Sequence, residues 1–182
     1  MKRFALLAAL LLASCGTPPR ERFYTLEAPE PPVAAPGAPT VAVGPVSVPE
    51  MVDRPQFVVR TSANEVVIAE QARWAEPLKS AIARVVAANL ATELGMRIAA
   101  PARNAEADHR VVLDILRFES GPDQAVLIDA AWTLIGPKGS RRSGRSVARE
   151  KTQSRSNDAL AAAHSAALAA ISREIAAAIQ NP

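Results

Sequence analysis

Apolar residues recur at helical spacing in two stretches of this chain. Leu78, Ile82, Val86, Leu90 and Leu94 form an i, i+4 row with Val85 beside it, which predicts one apolar stripe on a helix of about 19 residues. Trp74-Ala75-Glu76-Pro77 opens that helix, since proline is harmless in a first turn, and Gly95 suits the position just past its end. Residues 158–180 are Ala-rich, with Leu160, His164, Ala167, Leu168, Ile171 and Ile175 on one face and Ser156 or Asn157 as N-cap.

Between these stretches the period is two. Val126, Ile128, Ala130, Trp132 and Leu134 alternate along a strand over 125–135. A partner strand over 111–119 precedes it, joined by residues 120–124. A third strand, about 146–153, follows a loop over 136–144. Upstream, residues 56–60 and 66–70 flank Ser62-Ala63-Asn64-Glu65 as a hairpin in which Asn64 is suited to a positive φ. Residues 41–48 are Val-rich and contain Gly44-Pro45, which predicts an edge strand or a bulge at Gly44. Pro49 ends that strand, and Asp53-Arg54-Pro55 reads as a turn. The order is strands, helix, three strands, helix. It predicts an α+β fold: a mixed or antiparallel sheet with two long helices packed on one face.

The first forty residues follow a different pattern. Met1-Lys2-Arg3 is a charged start and residues 4–13 are apolar, a stretch long enough for a secretory signal and short of the ~20 residues of a membrane span. Leu12-Ala13-Ser14-Cys15 then resembles the lipobox of bacterial lipoproteins, in which the cysteine thiol receives a diacylglyceryl group and cleavage falls just before it. Cys15 is the only cysteine, so no internal disulfide forms. Residues 1–14 therefore read as a lipoprotein signal peptide. Residues 15–40 read as a lipidated cysteine and a tether with seven prolines, extended at roughly 3.1 Å per residue. Within the tether, Phe23-Tyr24-Thr25-Leu26 reads either as a clip that docks on the domain or as incidental aromatics. Residues 41–182 form a single domain. By resemblance to the Gram-negative sorting rule, Gly16 in place of aspartate favours the outer membrane.

Charge and chemistry exclude more than they add. The chain has 21 basic and 18 acidic side chains and a net charge of +3. That balance, with export, argues against a nucleic-acid partner. No metal site is expected, because His109 and His164 stand apart. No cofactor is expected beyond the covalent lipid on Cys15. Gly136-Pro137-Lys138-Gly139-Ser140 lacks the spacing of a phosphate loop. Asp114 and Asp129 are placed on opposite faces of neighbouring strands, and His164 is a packing residue. The run Lys138, Arg141, Arg142, Arg145, Arg149, Lys151 and Arg155 is either a solvated hairpin face or a contact for an anionic surface, with Lys138, Arg141, Arg142 and Arg145 as its centre.

Two blocks carry a family signature. One is Val43-Gly44-Pro45-Val46-Ser47-Val48-Pro49-Glu50 running into Asp53-Arg54-Pro55-Gln56, and the other is Arg73-Trp74-Ala75-Glu76-Pro77-Leu78. With Phe23-Tyr24-Thr25-Leu26, Arg117-Phe118-Glu119 and Ala131-Trp132, they resemble the ABC-type transport auxiliary lipoproteins, the PqiC-like family. The resemblance implies a non-enzymatic lipoprotein on the periplasmic face of the outer membrane. It implies as partners an MCE-domain (mammalian-cell-entry) protein and, through it, an ABC permease and ATPase. Such systems move phospholipids between the two membranes and maintain envelope integrity. Pro49, Asp53, Arg54, Pro55, Arg73 and Trp74 are the candidate partner surface. The alternative is a periplasmic carrier holding lipid in its own hydrophobic pocket. Ala-rich helix faces leave homo-oligomerisation open.

Overall fold

A long antiparallel hairpin runs through the middle of the sheet. The computed structural model describes residues 20–100, 106–121 and 123–181. Eight strands form one sheet: β1 (Arg22–Tyr24), β2 (Thr40–Ser47), β3 (Gln56–Arg60), β4 (Val66–Trp74), β5 (Arg97–Ile98), β6 (His109–Ser120), β7 (Ala125–Ile135) and β8 (Arg141–Lys151). The helices are α1 (Leu78–Leu94) and α2 (Asn157–Gln180). β6 pairs antiparallel with β7, and β7 with β8. Along the other side of β6, β2 and β3 both run parallel to it, β2 against its first half and β3 at Ser120. They behave as one strand interrupted by the segment from Val48 to Pro55. β4 returns antiparallel to β3, and β1 adds parallel to the end of β4.

Both helices cover one face, α1 over β2 and α2 over β7 and β8, side by side. The expected rows are the buried ones: Leu78, Ile82, Val85, Val86 and Leu90 of α1, and Leu160, His164, Ala167, Leu168, Ile171 and Ile175 of α2. Small residues let the two helices approach, and Asn89 Nδ2 donates to Ser172 Oγ (3.4 Å) in the buried seam. Ser156 caps α2, its hydroxyl accepting from the Ala159 N–H at 3.2 Å. Gly95 ends α1 at φ 62°, a left-handed conformation that costs glycine little. Aromatics are few but gathered: Trp74 stacks on Phe57 at 4.0 Å, and Tyr24 meets Phe57 edge-on at 5.2 Å. Each such pair is worth about 0.5–1.5 kcal/mol beyond its buried area.

Several boundaries differ from the sequence reading. Trp74 ends β4 rather than opening α1, and Pro77 stands at the N-cap position, outside the first turn. β2 is not an edge strand over its whole length, because β5 covers Thr40 and Val41. The bulge alternative is the one realised, as a register shift between Val43 and Val46. Asn64 does not take a positive φ. Among the described non-glycine residues only Gln124 and Lys138 do, because those two turns need it. β8 begins at Arg141, five residues ahead of the expected start, since residues 136–140 close the hairpin tightly. Gly144 lies under the Trp132 indole, where a Cβ would come within 2.3 Å of the ring, so only glycine leaves the ring its place.

The Asp114 and Asp129 expectation is also corrected. The register set by the β6–β7 turn pairs Arg117 with Asp129, and by itself would put Asp114 across from Trp132 on the helix-covered face. One extra residue between Ile115 and Arg117 shifts the register so that Asp114 pairs with Ala131. A one-residue bulge moves every later side chain to the other face. Both aspartates therefore lie on the uncovered face. They have separate partners: Ser47 donates to Asp114, and Arg145 to Asp129.

Candidate functional site

The clip in the tether is docked. β1 pairs with residues 72–74 of β4, the Tyr24 carbonyl accepts the Ala75 N–H at 2.8 Å, and the Glu27 N–H donates to Ser165 Oγ at 3.0 Å. Leu26 is buried in the core, which stabilises the attachment by about 1.5–3 kcal/mol. Arg84 of α1 then reaches out from the helix. Its guanidinium donates to the Leu26 carbonyl (2.9 Å), to Thr25 Oγ1 (3.2 Å) and, through Nε, to Glu76 at 3.1 Å.

Glu76 lines a groove of about 370 Å³ between the loop that interrupts the β2–β3 strand and the β4–α1 turn. Asp53, Arg54 and Pro55 form one wall, and Trp74, Ala75, Glu76, Pro77 and Leu78 the other. The loop is rigid for physical reasons. The Pro49 carbonyl accepts from Val52 N (3.0 Å) and Asp53 N (3.2 Å), Val52 plugs into the core, and the Trp74 N–H donates to the Pro55 carbonyl at 2.7 Å. Lys79 holds Asp53 at 2.7 Å. With Asp53 and Glu76 both engaged, Arg54 is the lining charge that makes no ion pair among the described residues. The N-terminus of α1 has no side-chain cap here, so the groove is electropositive on balance.

Four of the six candidate partner residues thus meet in one place: Asp53, Arg54, Pro55 and Trp74. Pro49 supports the loop from below. Arg73 does not join them. Strand alternation turns it to the uncovered face, where it pairs with Glu21 at 2.8 Å. Arg84 and Ala75, which tie the groove to the docked clip, were missed in sequence, because an arginine on a helix and an alanine in a turn carry no signal of their own.

The basic hairpin is more neutral than its composition. Arg145 grips Asp129 with two bonds, 2.8 and 2.6 Å. The guanidinium lies over that carboxylate, covers it from water and holds it below the usual carboxylate range. Arg149 pairs with Asp123, and Arg142 donates to the Ala178 (3.4 Å) and Asn181 carbonyls at the end of α2. Lys138 and Arg141, at the hairpin tip, make no ion pair among the described residues. Cys15 lies outside the described residues.

His164 is a core residue. Its ring stacks on Phe118 at 4.0 Å and 6°, and Nε2 meets Ser120 Oγ at 3.0 Å. Both residues are buried beneath Phe57 and Trp74, and the cavity they line is only about 10 Å³. Burial pushes the imidazole down to about 3. A serine–histidine pair so enclosed has no room for a substrate. Among the described residues no group of His, Cys, Asp or Glu is arranged to hold a metal ion. No described helix is long and apolar enough to cross a membrane.

A family model described as the ABC-type transport auxiliary lipoprotein component matches residues 24–176. No curated protein matches the chain. Among solved structures, one uncharacterised protein superposes with a TM-score of 0.76 at 23% identity, covering 88% of this chain and 99% of its own. A protein from Xanthomonas campestris superposes with a TM-score of 0.65 at 21% identity, covering 85% of this chain and 92% of its own. At these identities the two structures speak for the fold.

Proposed function

Because this chain belongs to the ABC-type transport auxiliary lipoprotein family, we propose that it is a docking adaptor, held on the periplasmic face of the outer membrane by lipid on Cys15. In this reading it receives an MCE-domain protein and, through it, an ABC permease and ATPase that move phospholipid between the membranes and preserve the envelope. One observation carries the reading. The two blocks that hold the family signature, some twenty residues apart, converge on the groove between Asp53 and Glu76. The groove is built on the docked clip, so a partner seated there is held beside the point where the tether enters the fold.

The carrier alternative has less support. A groove of about 370 Å³ lined by Asp53, Arg54 and Glu76 is at the small end of the roughly 300–1,000 Å³ that drug-sized ligands occupy, and a two-chain lipid is larger than those ligands. With Arg54 as the unpaired lining charge, the groove suits an acidic segment of the partner. Arg54→Glu is expected to lower capture of the MCE-domain protein by roughly tenfold or more, while the melting temperature stays put because Arg54 is exposed and makes no ion pair among the described residues. Undiminished capture by a folded Arg54→Glu chain would remove the groove from the interface.

A further inference from the structure

Phe23 is a large apolar side chain in an unexpected place. Strand alternation sends Tyr24 into the aromatic cluster and turns Phe23 outward, where it is 62% exposed. Its position is fixed rather than frayed: β1 is paired to β4, and Tyr24, Leu26 and Glu27 pin the segment that follows. Single exposed apolar side chains are ordinary on a protein surface; Phe23 stands apart because its strand is held in place and lies eight residues from Cys15.

The surroundings point to what covers it. Glu21 is engaged by Arg73, which leaves Arg20 and Arg22, both exposed, with no ion pair among the described residues. Alternation turns Arg22 to the opposite face of β1 from Phe23. But β1 is the edge strand of the sheet, so a surface laid edge-on to it meets the ring on one side, Arg22 on the other and Arg20 just ahead of them. The chain from Cys15 to Arg22 spans seven residues, at most about 25 Å when fully extended. The helices lie on the opposite face of the sheet, and among the described residues the ring stays exposed.

We infer that Phe23, flanked by Arg20 and Arg22, is a second contact with the lipid bilayer that holds the anchor, its ring at the headgroup boundary and the two guanidinium groups on anionic phospholipid. The inference rests on the lipidation of Cys15. The chemistry is that of interfacial segments, in which apolar burial and roughly 1 kcal/mol per cation near an anionic surface add to a covalent chain. The contact sets the orientation of the domain: the β1 edge lies on the membrane, and the hairpin tip with Lys138 and Arg141 points elsewhere.

The test uses the full lipidated chain in vesicles of phosphatidylethanolamine and phosphatidylglycerol. With the Cys15 thiol occupied, Phe23→Cys supplies the only free thiol for a nitroxide label. Val33→Cys, in the tether, and Val147→Cys, at the far edge of the same sheet face, serve as references. The label at 23 is expected to collide several-fold more with oxygen, relative to an aqueous nickel complex, than the labels at 33 and 147. Arg20→Glu with Arg22→Glu is expected to reduce that difference. A chain that floats with the vesicles yet leaves position 23 as water-accessible as 33 and 147 overturns the contact and leaves the anchor standing. A chain that does not float overturns both. Protection of position 23 that appears only when the MCE-domain protein is added assigns Phe23 to the protein partner and overturns the lipid contact.

Discussion

Cys15→Ser is expected to move the protein out of the membrane fraction almost completely, while the domain keeps its fold. If Cys15 carries the anchor as proposed, a serine hydroxyl cannot take the place of its thiolate in the thioether to diacylglycerol, and the chain loses every acyl group at once. Each buried CH₂ contributes about 0.8 kcal/mol, and a single chain binds only marginally, with an association constant of about 10⁴ M⁻¹. Several chains on one residue make attachment effectively permanent, so the change is from bound to released rather than a graded loss. Phe23 and its two arginines cannot hold the protein alone. Sedimentation of membranes, with intact mass read on both fractions, checks the result. A Cys15→Ser chain that still sediments with the membrane, without lipid mass on it, would place the anchor elsewhere.

Acid is expected to weaken the fold through His164 before the carboxylates titrate. The imidazole is held neutral in the core with its pKa near 3, against about 6.5 in the unfolded chain. Below pH 6.5 the unfolded state therefore binds a proton that the folded state refuses. Stability falls as pH drops, by about 1.4 kcal/mol for each unit until the folded pKa is reached. The direction is that of a depressed base: its contribution is complete above pH 6.5 and is lost on the acid side. Ser120→Ala with His164→Phe removes both partners of the 3.0 Å bond, so neither is left buried and unpaired. Urea unfolding between pH 7 and pH 5 is expected to show a marked slope for the native chain and a flat profile for the double variant. Equal slopes in the two chains would mean that another group is responsible.

Much of the fold was legible because long periodic patterns constrain the answer. The rows Leu78 to Leu90 and Leu160 to Ile175 could serve only as helix faces, and the alternation of residues 126–134 only as a strand. The start of β8 was not legible, since Arg141 to Arg145 has no apolar alternation. That strand needs none: its inner face holds Gly144 under Trp132 and Arg142 at the end of α2. The parity of Asp114 depended on a bulge that no residue type announces. The groove was half legible. Proline-rich turn chemistry marked Pro49 to Pro55 as unusual, but Arg73 and Trp74 looked alike as neighbours in one motif. Taking Trp74 as the start of a helix hid the fact that strand alternation sends the two to opposite faces. The link from groove to clip runs through Arg84, whose role depends on where Leu26 and Glu76 come to rest in three dimensions.

The adaptor reading is tested most directly by purifying the full lipidated chain from native envelopes and identifying what comes with it. The account predicts that an MCE-domain protein and its ABC permease and ATPase co-purify, with no non-covalent lipid bound at one per chain. Recovery of the chain with one non-covalent phospholipid per molecule and without the MCE-domain protein would contradict it in favour of a carrier.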